Sequence, residues 1–502
     1  MDNVLKNFVI YGDGLTARFT ALWLQKLLND SPIKVCISLV SPQNSTLPTL
    51  DLCLPPYFKH LLPSFGLEEN EILKFNNLSF NLGTRFSSQM GPEQKVFFQT
   101  FEENEMLNSY PFLLQHWIQE RLLNLHQKSF DFCFFPQKNL FEKAKVPKIL
   151  GSTESNSLCQ YGLNFKCRDL LNYLDTKCQE VNIQVFKSDI KECQEKESGD
   201  IEKIILSDKT QVELDLLLNC HPSPSPALSS KEDFDFFRQD PEKHLEFFTA
   251  QSSLTNDLKN FTDIRLSQEG FLQSFQFLKE QHVRFTCKAS LSETKASSYL
   301  LKTYNIDLKK HPHQWHLSYK HKFKKAWQNN IIHLSSAFAT SSPLLTYASF
   351  TFLAKQLLFL SSTFPRKDNQ LALSKIFNYL SLESFNSIEG VNAFIMNHST
   401  KQELPYPKAF ANYLLKSKEN YGLPIGDPKG LFSRFFIDSL IFNYDYLPDD
   451  FNPLIKYSHT KKNKELLMNH LIKKYQDSSD EFLKHSEYLL RFKPPHPQGS
   501  HA

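Results

Sequence analysis

A phosphate-binding turn is the first chemistry this chain offers. The strand Asn7-Phe-Val-Ile-Tyr11 runs into Gly12-Asp13-Gly14-Leu15-Thr16-Ala17, and a helical pattern follows. In a GxGxxG turn the first glycine makes the bend and the second lets backbone approach a pyrophosphate. The third lets helix and strand pack closely. Gly12, Gly14 and Ala17 occupy those places, and Leu15 and Thr16 open the helix whose N-terminus would face the anion. A plain tight βα turn is the alternative. The pattern also calls for an acid at the end of the second strand, to hold ribose hydroxyls. That strand reads Lys34-Val-Cys-Ile-Ser-Leu-Val40 and is followed by Ser41, which offers one neutral hydrogen bond where a carboxylate would make a charged pair. Asp13 would face the pyrophosphate unless it turns outward.

Other constellations are weaker. His311, His313, His316 and His321, with Lys320, Lys322, Lys324 and Lys325, match no metal-ligand spacing and read as a solvated strand and turn. The nine cysteines include no CxxC pair, which fits reduced thiols and no bound metal. No GxSxG elbow, P-loop, HExxH or EF-hand pattern is present. Phe432, Phe435, Phe436, Phe442 and Tyr444 either line an aromatic pocket or, more simply, form core.

The elements that must carry these residues are those of a globular α/β chain. With 502 residues, 41% hydrophobic and 22% charged, it can bury a large core. A net charge of +3 is too small to imply nucleic acid or an anionic membrane as a partner, since such binding needs a concentrated basic face. No leader pattern and no apolar run near ~18 residues is present, so a cytoplasmic protein is expected. Glycine is scarce, 14 in 502 against a usual ~7%. That argues against a fully equipped nucleotide site, or it reflects compositional drift in a chain with 45 phenylalanines.

The first βαβ unit is expected over residues 7–40, with Ala17, Ala21, Leu24 and Leu28 on one helical face. A helix follows at Phe112–Leu125. Residues 168–181 read as a helix and Ile183–Phe186 as a strand. Ile201–Leu206 and Val212–Leu218 read as a hairpin around residues 207–210, its second arm buried from Leu216 until His221-Pro222. Phe271–Phe285 suggests paired strands. Helices are expected at Leu344–Ser362, Ala372–Leu382, Asn392–His398 and Asn463–Lys473, with Pro494 onward as a tail.

Three passages give the chain a family likeness. Asn76-Asn-Leu-Ser-Phe-Asn-Leu-Gly-Thr-Arg-Phe86 and Trp327-Gln-Asn-Asn-Ile-Ile-His-Leu-Ser-Ser-Ala-Phe338 follow the N-terminal turn, in the order and spacing of the flavin-dependent tryptophan halogenases. The chain resembles that family over roughly residues 5–490. The resemblance implies an FAD-binding three-layer, Rossmann-like α/β domain with an associated β-sheet over residues 1–345, a helical C-terminal region over 346–493, and a tail. It also implies FAD at Gly12, Gly14, Leu15, Thr16, Ala17 and Ser41, reduced flavin from a reductase, and an aromatic, indole-like small molecule as substrate. A homodimer stays open.

The family's working residues are replaced. Its lysine follows Ala-Thr-Phe, whereas here Leu78-Ser-Phe80 is followed by Asn81. Its glutamate partner falls at Pro343 or Leu345, depending on alignment, and neither ionises. Thr46-Leu-Pro-Thr-Leu-Asp-Leu-Cys-Leu-Pro55 has no glycine where the family's flavin-contacting segment has one. Cys220 is followed by His221-Pro222 where the family has Ser-Gly. Gly270-Phe-Leu-Gln-Ser-Phe275 lacks the Trp-x-Trp-x-Ile-Pro signature. The catalytic residues therefore stay unassigned. Three readings follow: flavin-linked oxidation or halogenation without the lysine, a non-catalytic paralogue that binds a partner or ligand, or a retained nucleotide put to different redox chemistry.

Overall fold

The computed structural model describes all residues except 1–2, 44–51, 76, 89–94, 102–110, 126–127, 136, 149–158, 224–226, 229–232, 238–241, 251–257, 312, 319, 343, 401–402, 423–429, 458–468, 470–472, 474–481 and 492–502. The chain folds into two interleaved compact units. One comprises Met1–Ile72, Phe165–Leu245 and Thr286–Phe385; the other comprises Leu73–Asn164, Glu246–Phe285 and Asn386–Ala502.

The first unit is built on β1 (Asn7–Tyr11), α1 (Leu15–Leu28) and β2 (Cys36–Ser41). Its apolar strands assemble a six-stranded sheet in the order Trp327–Gln328, Ile331–His333, Leu216–Asn219, β1, β2, Gln184–Lys187, all parallel except the edge pair at 327–333. Val9, Tyr11, Val40 and Leu217 pack with Ile190, Ile201, Ile204 and Leu206 of a three-stranded antiparallel sheet. On α1, Phe19 meets Phe58 at 4.8 Å and Phe350 at 5.9 Å, edge to face, and Trp23 donates to Ser361 Oγ at 2.9 Å. Sheet, helices and smaller sheet give the three layers that the family likeness implies.

The second unit holds a mixed sheet. Thr262–Leu266 pairs antiparallel with Gly270–Gln276 and parallel with Gly83–Ser88, which pairs antiparallel with Lys95–Thr100. Gly83 is required there. Its φ is +153°, and a Cβ would stand 2.2 Å from the Gln99 carbonyl oxygen. Helices Pro111–Leu122, Lys408–Glu419 and Arg434–Asn443 belong to this unit. Phe432, Phe436, Phe442 and Tyr444 are buried in its core, with Phe442 5.4 Å from Phe130 and Tyr444 4.8 Å from Phe97. Phe435 is half-buried near Phe135.

Several expected elements are corrected. The hairpin exists, but its second arm is only Gln211–Glu213. The chain breaks at Asp215, whose carboxylate accepts from the backbone N–H groups of Lys6 and Asn7, and Leu216–Asn219 then enters the parallel sheet beside β1. An unbroken apolar run concealed that change of sheet. The helical segments at 372–382 and 392–398 are one helix, Gln370–Thr400. His321 is buried instead of solvated, its backbone N–H donating to Thr340 Oγ1 at 2.9 Å. The expected helix at 463–473 lies almost wholly outside the described residues, as does the tail.

Candidate functional site

Around the N-terminal turn, backbone geometry leaves room. Gly12 has φ +150°, and a Cβ would stand 3.0 Å from the Cys220 carbonyl carbon, so only glycine fits. Its N–H donates to the Val40 carbonyl at 2.9 Å, fastening the turn across β2. Gly14 is the opposite case: a Cβ there would meet nothing within 4 Å. It is the N-cap of α1 and supplies no side-chain cap, and no acid lies in the first helical turn. Such an end presents N–H groups and the positive pole of the helix dipole to an anion. Leu15 and Ala17 are buried against the sheet, and Thr16 is partly exposed. Asp13 turns toward His221, its Oδ1 4.0 Å from Nε2. The His221 ring lies 5.4 Å from that of Tyr11.

At the end of β2 the sequence missed a residue. Ser41 is buried, and the neighbouring charge is a cation. Arg18, one place beyond Ala17 on α1, is 8% exposed. It donates to Asp175 Oδ1 at 2.9 Å and to the Gly12 carbonyl at 3.3 Å, and reaches Ser41 Oγ at 3.5 Å. An arginine directly after the turn, in a chain with no acid after β2, was the available signal.

The residue at the family's lysine position has a different environment. Asn81 is 0% exposed. Its Nδ2 donates to Asn164 Oδ1 at 2.8 Å and to Thr262 Oγ1 at 2.9 Å, while its Oδ1 accepts from the Gly83 N–H at 2.8 Å. Asn164 donates onward to Ser79 Oγ at 3.4 Å. Both amide hydrogens of Asn81 and its carbonyl are therefore committed to the fold. The preceding residue, Phe80, is fixed likewise: its N–H donates to His485 Nε2 at 2.9 Å, and His485 Nδ1 lies 3.2 Å from the Leu258 carbonyl. That arrangement demands a neutral ring, and burial pushes the His485 pKa down to about 4.

At the glutamate position, Leu345 is 3% exposed and apolar, and Pro343 lies outside the described residues. His333, in the Ile332–Phe338 run, accepts at Nδ1 from Asn219 Nδ2 at 3.0 Å and stacks on Phe323 at 4.0 Å. Burial and the nearby His321 hold its pKa down at about 3. Ser335 has φ +51° and is held by Gln356 Oε1 and the Ser349 carbonyl.

The tryptophan halogenase profile matches residues 7–418. The chain belongs to the tryptophan halogenase family. No curated protein sequence matches it. Among solved structures, a flavin-dependent halogenase from Xanthomonas campestris superimposes with a TM-score of 0.82 at 14% identity, over 98% of this chain and 100% of that one. A tryptophan halogenase from Shewanella frigidimarina gives 0.81 at 16% identity, over 97% of each. BrvH, a flavin-dependent halogenase from Brevundimonas, gives 0.80 at 14% identity, over 98% and 100%. The fold is thus that of flavin-dependent halogenases, helical C-terminal region included. Among the described residues no helix is long and apolar enough to cross a membrane, and no group of His, Cys, Asp or Glu could hold a metal ion.

FAD is the group this family implies, and the residues fit it only in part. Gly12, Gly14 and the start of α1 suit a pyrophosphate. At the ribose end the fit is poorer, because a cation, Arg18, and a neutral hydroxyl, Ser41, stand where free ribose hydroxyls are ordinarily held by a carboxylate.

Proposed function

We propose that this halogenase-family chain binds an adenine dinucleotide at the Gly12–Ala17 turn and does not carry out lysine-dependent halogenation. The observation that carries this reading is the state of Asn81: buried, uncharged and fully hydrogen-bonded to Asn164, Thr262 and Gly83. A lysine at that place would bring an ammonium to hold hypohalous acid, and asparagine brings none. Neither Pro343 nor Leu345, the two candidates for the glutamate position, supplies a carboxylate to partner one. The open space at Gly14 and the uncapped start of α1 favour a retained anion site.

The role that follows is a nucleotide-dependent one, with an aromatic small molecule and a flavin reductase as the family's partners to be tried. The test has two arms. Protein, reduced FAD, oxygen, bromide and tryptophan are incubated and the products analysed by mass. No brominated product is expected, and a brominated product formed in amounts that track the protein overturns the reading. In the second arm, thermal unfolding is followed with added FAD, NAD and NADP. A dinucleotide bound only by the folded chain adds about 2.7 kcal/mol at one hundred times its dissociation constant, so a rise in melting temperature with one of them is expected.

A further inference from the structure

Arg18 and Ser41 meet where β2 ends, and Lys187 occupies the position paired with Ser41 on the neighbouring strand. Ser41 closes the strand and is 6% exposed. Lys187 stands opposite Ser41 in the parallel pairing of β2 with Gln184–Lys187, so both side chains share one face of the sheet. It is exposed and makes no ion pair with a described residue. Arg18 reaches the same face from α1. The Asp175 carboxylate takes its Nε side, which leaves the two terminal nitrogens directed at Gly12 and Ser41. A guanidinium has five N–H groups. One is spent on Asp175, one on the Gly12 carbonyl, and the Ser41 contact is long at 3.5 Å. Donors therefore remain.

A ribose diol is ordinarily bound at this place by an acid accepting from both hydroxyls, and an arginine nearby goes with a phosphorylated ribose instead. Here no acid directly follows β2; the Arg18 guanidinium stands between Asp175 and the Ser41 hydroxyl, and Lys187 holds the paired position on the next strand. The local charge is positive, and the free groups are donors. A phosphate supplies what they lack: negative charge and several accepting oxygens, two of which a planar guanidinium can engage at once. Granting the dinucleotide reading of the turn, we infer that this site selects a dinucleotide with a phosphate on its adenosine ribose, as in NADP, over FAD or NAD. Arg18 and Lys187 are the specificity-determining residues, and Ser41 leaves the space a carboxylate would fill.

NADP and NAD differ only in that phosphate, so they isolate the claim. With the full chain, calorimetric titration should give NADP an affinity about tenfold or more above that of NAD, the size expected for one or two charge-assisted hydrogen bonds. Lys187→Gln, on an exposed side chain, should cut the preference severalfold without loss of melting temperature. Ser41→Glu should abolish it, because the new carboxylate pairs with Arg18 and repels the phosphate while offering acceptors to a free ribose. Equal affinity for NADP and NAD, or tight FAD binding with no preference for NADP, overturns the inference and leaves dinucleotide binding standing. Failure of all three to bind overturns both.

Discussion

At Gly14, in the N-terminal turn, the backbone opens onto space, whereas at Asn81 a tight stretch of backbone has been packed shut with hydrogen bonds. Gly14 opens onto space and the helix behind it lacks a cap. Gly83, two residues after Asn81, has the Gln99 carbonyl where its own Cβ would go. Gly12 and Gly83 are both required by packing against a neighbouring strand, whereas Gly14 is the glycine that leaves open space. A glycine near a family motif is thus no evidence of a ligand until its surroundings are known.

The largest test of that contrast is Gly83→Ala. A Cβ 2.2 Å from a backbone oxygen cannot be absorbed by a rotamer change, and a loss of about 4 kcal/mol in urea unfolding is expected. Asn81→Lys comes next. The ammonium would be buried among Asn164, Thr262 and Gly83 with none of them charged, at a cost of about 3 kcal/mol, and bromination assays should stay negative. A stable, brominating Asn81→Lys protein would break the contrast by showing an active site waiting only for its lysine.

Acid reaches both regions. His333 and His485 are buried neutral imidazoles with pKa values held down at about 3 and about 4. Each contributes stability that is present above the ordinary histidine value near 6.5 and lost as pH falls toward the folded value. By pH 5 each should have surrendered about 2 kcal/mol. Asp438 opposes them. Burial raises its carboxyl to about 6, so its contribution is complete below about 4 and lost as pH rises through about 6. Comparing unfolding at pH 7 and pH 5 in the protein and in His485→Gln separates these effects. The variant's difference between the two pH values should be smaller in acid loss by about 2 kcal/mol. An unchanged difference would mean that His485 is not neutral against the Phe80 N–H.

Gly14→Ala is the smallest perturbation of the fold and the sharpest of the site. Stability should change by less than about 0.5 kcal/mol, since the backbone is extended there and the space is open. Dinucleotide affinity should fall about tenfold, because the methyl stands where the pyrophosphate approaches. An equal affinity in titration would show that the turn is only a turn.

Much of the first region was legible because it is local. The apolar strand, Gly12, Gly14, Ala17 and the helical face behind them lie within one short stretch, and hydrophobic period and turn chemistry define it. The family likeness likewise rested on short motifs, and the expectation that Asn81 and either Pro343 or Leu345 stand at the family's working positions was read from those motifs. The strand at Leu216–Asn219 was legible as buried but not as a member of the parallel sheet. Its period matches that of the hairpin arm before it, and only Asp215 binding the Lys6 and Asn7 N–H groups decides its neighbour.

By itself, then, the sequence determined the glycine turn, the α/β class and the family motifs in which Asn81 and Pro343 or Leu345 stand, because each depends on residue identity or local spacing. Tertiary structure alone decided what Asn81 bonds to and which side chains meet at the end of β2. Asn81 finds its partners 83 and 181 residues away, and Arg18 is held by an aspartate 157 residues away. No local propensity encodes such pairings; they exist because distant strands and helices bring buried polar groups together, where each must find a hydrogen-bond partner.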